Sequence, residues 1–168
     1  MLSKDLIIKA TNALIENEII ILPTDTIYGL SAIWNFENEK RINNIKNANE
    51  EKPLIVLISN IEQLSILGIE KNEFVDLLFN ESTTVIFKTK SNNKTIAVRL
   101  IIRDDIKKII EKTGPIFSTS VNLHGEQPIN EKDELINFDR SINVYFDKVI
   151  TNIKPSKIYN SITNIWVR

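Results

Sequence analysis

The chain has 168 residues, the length of one ordinary domain, and can bury about 68–70% of its unfolded surface without disulfides or metals to hold it. Lys and Arg total 21 against 22 Asp and Glu, a net charge of −1, which excludes a broadly basic nucleic-acid binder but not a local basic patch. The absence of cysteine excludes thiolate metal sites, iron–sulfur clusters and cysteine nucleophiles, and the single histidine, His124, leaves no multi-histidine metal site.

In chain order, residues 4–17 place Leu6, Ile7, Ala10, Ala13 and Leu14 at helical spacing, with Ser3 as the N-cap. Residues 19–22 are a short buried strand ended by Pro23, and far too short to cross a bilayer. No signal-peptide pattern opens the chain, so a cytoplasmic protein without a membrane partner is expected. A helix over 38–47 turns Ile42 and Ile45 to one side, and 54–58 is a second buried strand opened by Pro53. Short helices follow at 60–67 and 71–79. Segments 83–88 and 95–100 read as a strand pair turning at Ser91, Asn92 and Asn93. Ile106, Ile109 and Ile110 mark a helix stopped by Gly114-Pro115. Then come a strand at 116–120, a helix at 131–138, and strands near 145–150, 157–159 and 163–167. This alternation predicts one domain, 1–168, of mixed α/β class, and the strand pair argues against a purely parallel sheet.

Polar residues that follow buried strands are where an α/β sheet keeps its ligands. Pro23-Thr24-Asp25-Thr26-Ile27-Tyr28-Gly29-Leu30 offers hydroxyls and a carboxylate for a small polar ligand such as an amino acid. The same residues fit a plain loop with an Asx turn. Ser118-Thr119-Ser120-Val121-Asn122 ends the 116–120 strand, and alternation would bring Ser118, Ser120 and Asn122 to one face. Such neutral donors and acceptors hold phosphate or ribose oxygens, or cap a helix. With only four glycines, no Gly-rich phosphate loop can be written, so a bound nucleotide would need side-chain cations. Lys46, Lys52 and Arg99 are the candidates; for the two lysines a solvated helix end is the plain alternative, and for Arg99 an outward-facing strand position. Asp104-Asp105 read as the capped start of a helix, or less simply as a magnesium pair.

Together these segments resemble the YrdC/TsaC family, in its short single-domain type. The matching pieces are 23–30, Lys46 with Lys52-Pro53-Leu54-Ile55, Ala97-Val98-Arg99, Ser118-Thr119-Ser120-Val121-Asn122-Leu123-His124-Gly125 and Pro155-Ser156-Lys157-Ile158, in the family's order. The resemblance implies a three-layer fold, a twisted mixed sheet flanked by helices, with a concave and locally positive face. It implies a nucleotidyltransferase that condenses ATP, L-threonine and bicarbonate to threonylcarbamoyl-AMP and pyrophosphate for tRNA modification. Lys46 would be catalytic; Lys46, Lys52, Ser118, Ser120 and Asn122 would bind ATP; Thr24, Arg99 and Ser156 would bind threonine. Magnesium would arrive on ATP, with no protein metal site, and the labile product implies passing contact with the machinery that transfers it to tRNA. The chain departs from the family at Ala48, where an arginine is usual, at Asn80-Glu81-Ser82 and at Asn160. Lys52 and Arg41 are the cations in sequence reach of the missing arginine. The alternative reading is a non-catalytic RNA- or nucleotide-binding module of the same fold.

Overall fold

A computed structural model describes residues 1–48, 54–90, 94–147 and 154–168. Helix α1 (Lys4–Ile15) starts as its sequence demands, with the Ser3 hydroxyl accepting from Leu6 N at 3.3 Å. Its buried Ala10, Ala13 and Leu14 pack with α3 (Asp104–Thr113), whose Ile106, Ile109 and Ile110 are fully buried. Gly114 ends α3 at φ 77, a left-handed conformation that glycine adopts without cost.

The strands are β1 (Ile20–Pro23), β2 (Tyr28–Ile33), β3 (Ile55–Ile58), β4 (Thr83–Lys88), β5 (Thr95–Leu100), β6 (Ile116–Ser120), β7 (Asn143–Val144), β8 (Lys157–Asn160) and β9 (Ile165–Trp166). They form one sheet in the order β7-β1-β2-β6-β3-β5-β4-β8-β9. The pairs β1/β7, β3/β5 and β4/β8 are parallel and the others antiparallel, as the mixed class requires.

Alternation sends Leu30, Val56, Val98 and Phe117 to one face, where they meet Ile42 of α2 (Phe36–Ile45) and Leu135 of α4 (Lys132–Phe138). Leu57 and Ile116 face the other way, under α1 and α3. Further along that second face Gly29, Ile55, Ser118 and Ser120 lie beyond the helices, and a cavity opens over them. The sheet therefore buries one half of a face and leaves the other half for a ligand.

Several expectations need correction. Segment 28–33, read partly as loop, is the interior strand β2; its Gly29 and Ser31 look loop-like but sit against β6 at Ser120 and Ser118. Pro23 ends β1 as expected, but from within, as its last paired residue, beyond the two positions that β7 pairs. The helices at 61–64 and 73–79 are 3-10 turns, each opened by an asparagine whose side chain accepts from a backbone N–H. Strand β7 falls just before 145–150, and the expected turn at Ser91, Asn92 and Asn93 lies outside the described residues. The cap of α3 is Arg103, with no side-chain capping bond, in place of the aspartates. Among the described residues no helix is long and apolar enough to cross a membrane, and no cluster of three or more His, Cys, Asp or Glu is placed to hold a metal ion.

Candidate active site

The cavity over the open half of the sheet holds about 470 Å³. Thr24, Arg99, Ser118, Ser120, Asn122 and Ser156 all line it, so four separate stretches of sequence converge there. A second cavity of about 370 Å³ lies on the opposite face, among Trp34, Leu54, Val56, Leu67 and Phe117, and its floor is apolar. These six polar residues belong to the first.

One end is built on the loop after β6. Ser120 Oγ donates to Asn122 Oδ1 at 2.6 Å, and Asn122 Nδ2 donates to Leu123 O and Glu126 O at 2.9 and 2.8 Å. Lys46, the C-cap of α2, is 4% exposed and does not itself line the cavity. Its Nζ donates to Ser120 O, to Asn122 O at 2.9 Å and to Asn122 Oδ1 at 2.8 Å. Its own carbonyl accepts from His124 N at 2.7 Å, so the residue is fastened to this loop at both ends. Lys46 thus stands directly behind the Ser120 and Asn122 wall, a buried ammonium ringed by oxygens, and not the solvated helix end that was the plain alternative.

The other end is built on the 24–26 turn between β1 and β2. Thr24 Oγ1 donates to Ile27 O at 2.7 Å and accepts from Thr26 N at 3.2 Å, which closes the turn without a glycine. Arg99 of β5 enters from the sheet; its Nη1 donates to Thr26 Oγ1 at 2.9 Å, and its Nη2 lies 3.1 Å from Asp25 Oδ1. That contact is a charge contact and not an aligned hydrogen bond, since Asp25 Oδ1 is buried with no hydrogen-bond partner, as is Arg99 Nε. Burial pulls the Arg99 guanidinium below its ordinary value; Asp25 opposes this, and the nearby Arg168 adds to it. Ser156 is fully enclosed, its hydroxyl 2.8 Å from that of Thr84, and its carbonyl accepts from Arg168 Nε at 3.0 Å.

Between the two ends Gly29 faces Ser118. A Cβ at Gly29 would stand 2.0 Å from Ser118 Oγ, so only glycine leaves that hydroxyl in place.

Lys52 lies outside the described residues. Arg41 does not replace the arginine missing at position 48: its Nη1 donates to Asn17 O at 2.8 Å and Asn38 Oδ1 at 2.7 Å, tying α2 to the turn after α1. Sequence reading also missed Thr26, Glu126 and Arg168, which line the cavity too. The first was in view within the 23–30 segment, whereas nothing local at the end of a short edge strand marks Arg168 as a cavity residue.

The family described as Sua5_yciO_yrdC, telomere recombination, matches residues 12–166. A threonylcarbamoyl-AMP synthase of Haemophilus influenzae strain PittEE is 31% identical over 171 residues, covering 91% of this chain and 93% of that protein. The enzyme of the same name from Wigglesworthia glossinidia brevipalpis is 30% identical, covering 93% and 89%. Among solved structures, E. coli YciO superposes with a TM-score of 0.80 at 20% identity, covering 99% of this chain and 89% of that one. P. abyssi Sua5 complexed with L-threonine superposes with a TM-score of 0.80 at 24% identity, over 93% of this chain but 51% of that one, so this chain spans about half of that protein. The fold, the match along nearly the whole chain and the order of its motifs agree: the chain belongs to the Sua5/YciO/YrdC family.

Proposed function

We propose that this protein is a threonylcarbamoyl-AMP synthase, a nucleotidyltransferase that joins ATP, L-threonine and bicarbonate and releases pyrophosphate and water. The observation that carries the reading is the convergence of a buried lysine wall with Ser118, Ser120 and Asn122 at one end of a cavity and an arginine-bearing turn at the other. The relatives named for this reaction cover nearly their whole length on this chain.

The chemistry has two steps. The amine of threonine adds to bicarbonate-derived carbon dioxide to give a carbamate, and a carbamate oxygen then attacks the α-phosphorus of ATP, expelling pyrophosphate. Two anions must meet, so fixed positive charge is needed where the pentavalent phosphorus gathers negative charge. Lys46 supplies it through the Ser120 and Asn122 wall, whose hydroxyl and amide meet the α-phosphate and ribose. Thr24, Arg99 and Ser156 hold threonine, with Arg99 directed to its carboxylate and Arg168 adding a second guanidinium. Holding the reactants in one cavity accounts for a large part of the rate. Magnesium would arrive on the ATP phosphates, held there by phosphate oxygens and water.

The test uses purified protein with ATP, magnesium, L-threonine and labelled bicarbonate. Label in an adenylate, with pyrophosphate release that requires threonine, supports the reading. Ala48 favours a second reading, a nucleotide binder without the reaction, because a methyl group makes no charge-assisted contact, a loss of about 1.5–3 kcal/mol. Folded protein that binds ATP, makes no product and is not rescued by Ala48→Arg would select that second reading.

A further inference from the structure

Arg99 in β5 and Arg103, the cap of α3, both reach the 24–26 turn. Arg99 holds it from the cavity through Thr26 Oγ1 at 2.9 Å, and Arg103 Nη1 approaches Thr24 O at 3.4 Å. We propose that Arg103 is a positioning residue for the amino-acid end of the cavity, acting through the carbonyl of Thr24. The inference rests on the reading of that end as the L-threonine subsite.

Arg103 is held in place by two buried carboxylates. Its Nε and Nη2 donate to Asp105 Oδ1 and Oδ2, both at 2.8 Å, and Nη2 also donates to Asp147 Oδ2 at 2.6 Å. The Asp105 and Asp147 side chains are 2% and 4% exposed. Asp105 is in turn fixed by Leu2 N at 2.6 Å and Ile106 N at 3.1 Å. A guanidinium is a rigid planar fork, so locking one edge sets the direction of the remaining arm. That arm is Nη1, and it points to Thr24 O. Burial alone would lower the Arg103 guanidinium, but its bonds to Asp105 and the Asp147 charge raise it above its ordinary value, so the anchor is charged at every working pH.

From Thr24 the coupling runs through atoms in contact. Thr24 Oγ1 lies 3.1 Å from Thr26 Oγ1, which accepts from Arg99 Nη1. A shift of the Thr24 carbonyl therefore moves the hydroxyl that orients Arg99. The Ser120 and Asn122 end shares none of these bonds. Arg103 should tune the amino-acid end and leave the nucleotide end alone.

The test is calorimetric titration of L-threonine, and separately of a non-hydrolysable ATP analogue, into wild type, Arg103→Lys and Asp147→Asn. Lysine keeps a charge between the carboxylates but has no second arm for Thr24. Asp147→Asn loosens the far side of the network while leaving Arg103 on Asp105 and Thr24. Arg103→Lys is expected to weaken L-threonine about fivefold to tenfold with the analogue unchanged. Asp147→Asn is expected to lower the unfolding temperature with L-threonine affinity unchanged. Threonine affinity of Arg103→Lys within about twofold of wild type, equal losses for both ligands, or an equal loss in Asp147→Asn would overturn the inference. If the lysine variant does not fold, the charge-balanced pair Arg103→Gln with Asp147→Asn must show the same threonine-selective loss, and its absence overturns the inference equally. Wild type that binds the analogue and takes no L-threonine overturns the reading of the subsite itself, and the inference with it.

Discussion

The two ends of the cavity carry buried cations in opposite settings. The described partners of the Lys46 ammonium are the carbonyl oxygens of Ser120 and Asn122 and the Asn122 amide oxygen. The Arg99 guanidinium instead faces the Asp25 carboxylate at 3.1 Å, with both side chains almost fully buried. These three oxygens hold the ammonium at the back of the wall and fix where it stands. A carboxylate at contact distance turns a cation into a local dipole, strong at close range and weak beyond it. The first setting suits a place where negative charge develops during a reaction, and the second suits recognition of a ligand's shape and orientation.

The largest effect should come from the lysine. Lys46→Met is expected to cut threonine-dependent pyrophosphate release by about a hundredfold to a thousandfold, the range for removing one preorganised electrostatic contact. Lys46→Arg should not restore it, because the Ser120 and Asn122 acceptors converge on one nitrogen and a planar fork needs them spread apart. Activity retained in Lys46→Met would reduce this end to a structural staple and break the contrast.

Arg99→Ala comes next and acts first on stability. It strands the Asp25 charge in a buried site, a loss of about 3–5 kcal/mol in chemical denaturation. The neutral pair Arg99→Gln with Asp25→Asn should recover most of that stability and still fail to bind L-threonine. That outcome separates the burial of charge from the recognition it serves. Recovered binding in the neutral pair would mean that Arg99 holds the turn and does not read the ligand.

How much of this could be read in the sequence depends on what each residue's neighbours are. Strand 95–100 was legible because Ile96, Val98 and Leu100 recur at every second position, and 116–120 because Ile116-Phe117 follow the Gly114-Pro115 helix stop. The cavity residues Thr24, Ser118, Ser120 and Asn122 were legible as polar groups gathered where buried strands end. Strand β2 was only half visible, since Gly29 and Ser31 look like loop residues until the close approach of β6 explains them. Arg103, Asp105 and Asp147 could not be assembled from sequence, because residues 42 to 44 positions apart share no local pattern. The place of Lys46 behind the wall was invisible for the same reason: its motif position is local, but its partners lie 74 and 76 residues away.

A smaller effect is expected midway between the two ends. Gly29→Ala puts a methyl group 2.0 Å from Ser118 Oγ and 3.4 Å from Thr24 Cγ2, so the serine hydroxyl must turn away from its place at the cavity. Overpacking of this kind costs about 1–3 kcal/mol. Adding Ser118→Ala removes the clashing oxygen and should recover stability in thermal unfolding. A single variant as stable as wild type would show that the wall yields, and would weaken the claim that this glycine holds Ser118 on the cavity.

The smallest effect probes the anchor behind the arginine end through pH. Burial pushes the Asp105 carboxyl up, but the bonds from Arg103, Leu2 N and Ile106 N outweigh it and hold the group below the usual carboxylate range. A carboxylate depressed in the folded state contributes stability that is present above the unfolded value, about pH 4, and is lost as pH falls through the folded value. In that window the unfolded chain binds the proton first, so acid favours unfolding. Asp105→Asn has no such proton to bind. Its unfolding free energy should therefore lie below that of wild type at neutral pH and decline less steeply below about pH 4, so that the two curves approach each other in acid. Parallel curves would mean that Asp105 titrates alike folded and unfolded. The anchor of Arg103 would then rest on packing rather than on charge, and the arginine end would lose its electrostatic support.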